Sequence, residues 1–545
     1  MSMFAIGVSG LNAAQSALYT TSNNISNVYT PGYNRELVIL GESPTGSGVR
    51  VNDVQRQFNT FVANQLNAST SASSALAAYQ SQISQIDNLL ADDEAGLAPL
   101  MQNFFSALGD LSSSPSDPAA RQGVIGTAET LSAQMRAFDG YLQDMQKGVN
   151  GQISGEVEQI NMLSEQIAKL NKEITLATAR TGVAPNNLLN QRDNLVAEMS
   201  KHIDVQLVVQ DGGSYNLNLA GGQPLVSGTI NYQLEAMASP YDPQRTVVGY
   251  RDASNNIVAL PETAIKGGTM GGLLSFRSEA LDKAQNQLGQ MAVSLVAGFN
   301  AQHEQGVDLN GNLGEAFFSL GSPQVYAHGK NAVNGAQASV VFGDVSKLTT
   351  ADYTVTVTGV DGGEPTFQVV RKDSGQIVEA TFENDTLSFG GVELTFEGGL
   401  VAGDRYEVQP VRRAAGGVET LINDPAKIAA GQLNDGSVSG AGDNRNALAL
   451  QGLQNQKLVA GNATLNQAYA SMVSDIGNKT NVVQANLQMQ QGLTDQLRAV
   501  QQSESGVNLD EEAANLMRYQ QFYQANARVI ETATTMFDTI LGLRT

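Results

Sequence analysis

The residue types that most often do chemistry are few in this chain and sit in a handful of short stretches. In "QHEQG", His303 precedes Glu304 as in a zinc-protease helix. That motif needs a second His four residues after the first, and Val307 stands there. "DLNGNLGE" opens like a calcium loop with Asp308, Asn310 and Asn312. Leu313 replaces the glycine of the sharp turn, however, and Ser319 replaces the bidentate Glu, so the stretch reads as a polar turn before the apolar "AFF". "GGTMGG", Gly267 to Gly272, shares only glycines with a phosphate-binding loop, because no Lys-Ser/Thr follows. It reads better as a flexible boundary between a β block and a helix.

The three histidines, His202, His303 and His328, fall in separate segments, and no Ser/His/Asp order suggests itself. Glu511 and Glu512 form a carboxylate pair, but they open the last helix, where negative charge suits the helix dipole. No enzymatic constellation survives. No catalytic residue, metal ligand or cofactor is expected.

Composition narrows the remaining classes. At 545 residues the chain should hold several domains. A net charge of −22 argues against a nucleic-acid partner, since phosphate binding needs clustered Lys and Arg. Charged residues make up 15%, below the roughly 25% of an ordinary soluble domain. The absence of Cys removes disulfides and thiolate metal sites. There is no apolar run of about 20 residues to insert in a membrane. The N-terminus also lacks the basic and apolar regions of a secretory signal, so export, if it occurs, is expected to cleave nothing.

The elements that would position any site follow from periodicity. No Asp, Glu, Lys or Arg occurs from Met1 to Asn34. Within that stretch Phe4, Val8, Leu11, Leu18 and Ile25 fall on steps of four and three, with Gln15 and Ser22 at the gaps. This predicts a helix with one narrow stripe, like a coiled-coil seam. Pro31 and Gly32, second and third in Thr30–Tyr33, suit a type II turn, in which the third residue takes positive φ. From about Phe61 to His202 the pattern is mostly helical, with Ile153, Ile160, Ile167 and Ile174 at seven-residue spacing. Period-two alternation marks Ile203 to Lys266 and, more strongly, Val325 to Arg412. Helix is expected between these blocks and again from Gly417 nearly to Thr545. In the last helix Leu509, Leu516, Tyr523, Ile530 and Phe537 recur every seven residues, with Tyr519, Ala533 and Ile540 on the companion position.

Both chain ends thus carry half of a coiled coil, and pairing them is the simplest way to bury both stripes. Ordinary packing inside a monomer would leave an exposed face that normally carries Lys and Glu. An uncharged segment points instead to a helix surrounded by protein in an assembly.

"SNNISNVYTPGYNRE" resembles the N-terminal signature of bacterial flagellar axial proteins, the rod, hook and hook-associated proteins. "SGVNLDEEAANLMRYQQFYQANARVIETATTMFDTILGL" is similar to the C-terminal signature of the hook-associated protein 1 (FlgK) family, and "GGLLSFRSEALDKAQNQLGQMAVSLVAGFNAQHEQGVDLNG" is a third match. Tyr29 departs from the Asn or small residue common there. The resemblance covers most of the chain except the generic β block at 325–412.

It implies a structural subunit of the hook–filament junction, extracellular on the flagellum, whose terminal helices pair inside a tube. It further implies self-association in a ring-like zone, contact with hook protein and hook-associated protein 3, and export through the flagellar type III apparatus. A cytosolic export chaperone would bind the C-terminal helix. Hook or distal rod proteins compete as readings within the family. From other classes, a secreted enzyme on a flagellar scaffold and a cytosolic coiled-coil scaffold compete more weakly.

The expected architecture is α+β, multidomain and elongated. It has a terminal coiled coil (1–34 and 503–545), a mainly helical bundle (35–202, 269–324 and 413–502) and two inserted β-rich modules (203–268 and 325–412). The expected subunit contacts are Val8, Leu11, Leu18, Ile25, Leu509, Leu516, Tyr519, Tyr523, Ile530, Phe537 and Ile540, with Pro31, Gly32 and Tyr33 setting the turn.

Overall fold

Residues 3–43, 48–91, 96–252, 254–332, 335–361, 364–434 and 437–542 are described by a computed structural model. The terminal five residues of the expected coil, 1–2 and 543–545, therefore lie outside the described residues. The described residues form ten α-helices: α1 Met3–Ser26, α2 Thr60–Leu90, α3 Leu97–Ser113, α4 Pro118–Thr181, α5 Asn186–His202, α6 Gly268–Phe276, α7 Asp282–His303, α8 Arg445–Gly452, α9 Leu465–Ser505 and α10 Leu509–Gly542.

The sequence sets their limits. Asn59 caps α2, its side-chain oxygen accepting from the Phe61 and Val62 N–H groups, which would otherwise lack partners. Asp117 and Pro118 start α4, and left-handed Gly182 ends it after 64 residues. Thr464 and Gln467 close a reciprocal capping box on α9.

The helical core is built by the seven-residue spacing. Ile153, Ile160, Ile167 and Ile174 are all buried on one side of α4. α2 pairs with α9 and also contacts α6, while α3 fills the space against α4 and α8. Phe104, Phe299, Phe317 and Phe318 meet edge to face or tilted at its centre.

Two departures from the sequence reading are local. Residues Glu36–Glu42 (β1) and Val49–Arg56 (β2), read there as part of the helical bundle, form an antiparallel hairpin that lies along α1. Helix resumes at Arg445 rather than Gly417. The intervening chain makes short strands at Glu419–Thr420 and Gly431–Asn434, which pair with Phe318–Ser319 and Gly306–Val307.

Residues 205–231 form a four-stranded antiparallel sheet and 234–259 a three-stranded one, both docked on α4. The docking uses asparagines in place of a neighbouring strand. Asn161 donates to the Leu234 carbonyl at 2.8 Å and accepts from the Leu234 N–H at 2.8 Å. Asn171 does the same with Tyr215 at 2.9 and 3.1 Å, and Asn150 bonds the Gln244 carbonyl and the Thr246 N–H. A primary amide presents a donor and an acceptor side by side, so one side chain on a helix satisfies a strand's backbone as another strand would.

Residues 324–409 contribute five- and four-stranded antiparallel sheets that share a second core around Val355, Phe389, Leu394, Phe396 and Tyr406. The two β modules are not independent. Asp282 on α7 receives Arg245 from the first at 2.6 Å, and Arg412, just past the last strand of the second, at 3.0 Å. Arg412 also pairs with Asp352. These arginines hold the Asp282 carboxyl down to about 2 against the opposing effect of its burial.

Candidate subunit interface at the paired chain termini

α1 and α10 lie antiparallel along one another. Gly7 of α1 meets Ile530, Gly10 meets Asn526, and Asn24 meets Glu512, so the start of one helix faces the end of the other. The face α1 turns inward is made of small and polar residues: Gly7, Gly10, Ala14, Ala17, Thr21 and Asn24 are all buried. A Cβ on Gly7 would stand 2.7 Å from Ile530 Cγ1, and one on Gly10 would overlap the Asn526 side chain. Close approach of the helix backbones demands the missing side chains. Each of these residues stands one place before a position of the expected seam, counting Gln15 and Ser22 at its gaps.

This corrects the N-terminal assignment. Val8, Leu11, Leu18 and Ile25 are only half-buried and flank the contact instead of forming it. The apolar stripe read from the sequence is real, but the helix is rotated by one residue relative to α10. Phe4 remains exposed.

On α10, Ile530 of the expected stripe meets Gly7, and Asn526 meets Gly10. Leu516, Tyr519 and Ile530 are half-buried, with Asn526 between them. Leu509, Tyr523, Phe537 and Ile540 stay exposed, the last two at 63% each. Met3, Phe4, Met536, Phe537 and Ile540 line an open apolar groove of about 500 Å³ at the free end of the pair.

The other end of the pair is held by a buried polar node that the sequence reading missed. Asn24 makes four bonds. Its oxygen accepts from the Glu36 N–H at 2.9 Å and the Tyr33 hydroxyl at 2.8 Å. Its amide donates to the Glu36 carbonyl at 2.9 Å and to Glu512 Oε2 at 3.1 Å. Glu512 is 1% exposed, and Arg35 brings Nη2 to within 2.7 Å of its Oε1 while Nη1 reaches Glu511 at 2.7 Å. Glu511 and Glu512 thus do more than suit a helix dipole: they receive the first charged residue of the chain. Burial, then the charges of Glu36 and Glu512, pushes the Tyr33 phenol above its ordinary range. An uncharged run ended by Arg35, with a carboxylate pair opening the last helix, is the signal that could have revealed this.

The turn between α1 and β1 has the expected form. The Tyr33 N–H bonds the Thr30 carbonyl at 3.2 Å, and Gly32 has φ +74°. Pro31 and Gly32 are exposed and Tyr33 is half-buried. Beyond it, polar bonds tie the terminal unit to α5: Asn34 donates to Asn190 at 2.7 Å and Arg56 pairs with Asp193 at 2.5 Å.

The residues with chemical potential are placed structurally. His303 is fully buried, donating from Nδ1 to the Glu315 carbonyl at 2.7 Å and accepting at Nε2 from the Ala429 N–H at 3.0 Å. Burial lowers its pKa, which keeps the ring neutral in this role. Asp308 Oδ1 accepts from the Asn310 and Asn312 N–H groups at 2.8 Å each, a self-contained turn. Among the described residues no three His, Asp or Glu side chains converge as a metal site requires. None of the described helices is long and apolar enough to cross a membrane. The "GGTMGG" stretch is tightly packed and not a flexible boundary, since Cβ atoms there would collide with the backbones of His202, Lys266 and Ala75.

Comparison with known proteins follows the same divisions. The profile described as "Flagellar hook-associated protein FlgK helical domain" matches residues 83–318, and "Flagellar hook-associated protein 1, D2-like domain" matches 326–410. The ends match profiles shared with rod proteins, "Flagella basal body rod protein" at 4–34 and "Flagellar basal body rod FlgEFG protein C-terminal" at 501–543. Flagellar hook-associated protein 1 of Salmonella typhimurium is 43% identical over 98% of this chain and 99% of its own length. That of Escherichia coli K12 is 43% identical over 98% of each. The flagellar hook junction protein FlgK from Burkholderia pseudomallei superposes with a TM-score of 0.74 at 29% identity, covering 81% of this chain and all of that one. With such identity along nearly its whole length, this chain belongs to the flagellar hook-associated protein 1 (FlgK) family.

Proposed function

We propose that this structural component of the flagellum forms the junction between hook and filament, with the paired terminal helices as the part that assembles. The observation that carries this is the uncovered apolar surface of the pair. After α1 has docked, Met517, Tyr523, Met536, Phe537 and Ile540 on α10 remain exposed. A stripe of this kind along a whole helix marks a protein interface, because solvent-facing surfaces seldom carry it. Neighbouring copies in a ring-like zone cover it, and the half-buried Val8, Leu11, Leu18 and Ile25 extend the same surface.

In this reading hook protein lies on one side of the zone and hook-associated protein 3 on the other. The chain leaves the cell through the flagellar type III apparatus without cleavage, and a cytosolic chaperone shields the C-terminal helix beforehand. Its place is extracellular, and its role is mechanical and non-catalytic. The test adds purified protein from outside to hook-bearing cells that lack this chain, which bypasses export. Wild type restores filament growth, and Ile530→Asp, which puts a carboxylate into the contact with Gly7, does not. Equal restoration by Ile530→Asp would refute the interface.

A further inference from the structure

We propose that the cleft between the Pro31–Gly32 turn and the helical bundle binds an uncharged polyhydroxyl ligand, a short saccharide; this stands apart from the assembly reading above. The cleft has a volume of about 470 Å³, within the roughly 300–1,000 Å³ of small-ligand sites. Residues 28–34 form one wall, and α2, α5 and the end of α9 form the others. Gly32 lies directly against Asn194, where a Cβ would stand 2.9 Å from that residue's own Cβ.

The chemistry of the cleft is carried by amides. Asn64 and Asn67 come from α2, Asn194 from α5, and Gln501 and Gln502 from α9. None of these five side chains has a hydrogen-bond partner among the described residues. The amides of α4 differ, since Asn150, Asn161 and Asn171 are all committed to strand backbone. A primary amide presents a donor and an acceptor side by side, which matches two neighbouring hydroxyls on a sugar ring. The five also approach from three helices, so they surround a compact ring whose hydroxyls radiate from its edge. An extended peptide carries its donors and acceptors along two edges and suits a row of amides on one helix, as on α4.

The rest of the lining sets the ligand's charge. Two charged side chains line the cleft, and both are engaged: Asp193 with Arg56 and the Tyr215 hydroxyl, and Arg498 with Asp495. A charged ligand would find no free counter-charge, whereas a neutral one requires none. Ala63, Val196, Ala197 and Leu207 supply apolar surface, and Tyr29 at the rim exposes 89% of its area. The C–H face of a pyranose packs on aliphatic and aromatic groups of this kind while its hydroxyls reach the amides.

The test titrates the full-length protein with maltose, cellobiose, lactose and N,N′-diacetylchitobiose, read by calorimetry and saturation-transfer NMR. At least one should bind with a Kd of about 1 mM or below. Asn67→Leu and Gln501→Leu should each weaken it about tenfold, the loss of a single hydrogen bond. Lys172→Glu, an exposed charge reversal on α4, should bind as wild type does. If either Leu variant lowers the melting temperature, Asn64→Ala, at an exposed position on α2, takes its place. A bound sugar bridges the turn and the bundle, so it should also slow proteolysis at Gly506 and Val507, which line the cleft. Binding of none of the four sugars, or equal binding by wild type and both amide variants, overturns the proposal. Binding of tetraglycine in the cleft without binding of any sugar would make the ligand a polypeptide and overturn it as well.

Discussion

Arg35 and Glu512, 477 residues apart in sequence, form an ion pair in which the carboxylate is almost fully buried. The pair fixes the hairpin side of the N-terminal segment to the start of the last helix. Removing Arg35 leaves Glu512, among the described residues, with the Asn24 amide as its side-chain partner. Arg35→Ala should therefore weaken docking of α10 on the order of 3 kcal/mol, the cost of stranding a buried charge. Adding Glu512→Gln should recover part of the loss, since a neutral amide tolerates burial better. Limited proteolysis at 505–510 measures this. Equal protection in wild type and Arg35→Ala would show the pair to be idle.

Gly10 tests the helix rotation. Gly10→Leu should force α1 away from Asn526, while Leu11→Ala, on the flank, should leave the α1/α10 pair in place. Helicity of the termini by hydrogen exchange separates the two. If Leu11→Ala opens the pair and Gly10→Leu does not, the seam lies where the sequence alone suggested.

The contrast between those two residues explains what was legible beforehand. A heptad search finds large apolar side chains, and on α10 it named Ile530, which meets Gly7. On α1 the contact is made by glycine and alanine, which carry almost no hydrophobic signal, so the search settled on the neighbouring flank. The β modules and the Pro31–Gly32 turn were readable from alternation and turn chemistry. The hairpin at 36–56 was not, being short and ordered chiefly by packing on α1. Asn24 and the strand-mimicking asparagines of α4 were invisible because a buried amide and a surface amide look alike in sequence.

The histidines give stability a pH dependence of opposite sign. Burial depresses the pKa of His303, so the unfolded chain binds its proton more readily. That contribution is complete above the ordinary value near 6.5 and is lost as pH falls toward the folded value. His202 is raised, mainly by its bond to Glu156, so its contribution is complete below about 6.5 and is lost as pH rises through the folded value. Melting temperatures from pH 5 to 8 should show His303→Gln flattening the acid side and His202→Gln the alkaline side. Unchanged slopes would contradict both assignments.

Helix α4 carries Gly148, Gly151 and Gly155 on its exposed side, with open space where a Cβ would stand. Replacing all three with Ala should stabilise the helical domain by ~2 kcal/mol, because alanine loses less backbone entropy on folding. Chemical denaturation measures the gain. A loss of stability would mean that these positions meet something on folding that the structure does not show.

The central claim, that the paired termini are the assembling part, is tested most directly by electron cryomicroscopy of isolated hook–filament junctions. The density should show α1 and α10 antiparallel in each copy, with Met517, Met536, Phe537 and Ile540 in contact with neighbouring copies. A map in which these side chains face open solvent, or in which α1 and α10 of one chain are separated, would contradict the account.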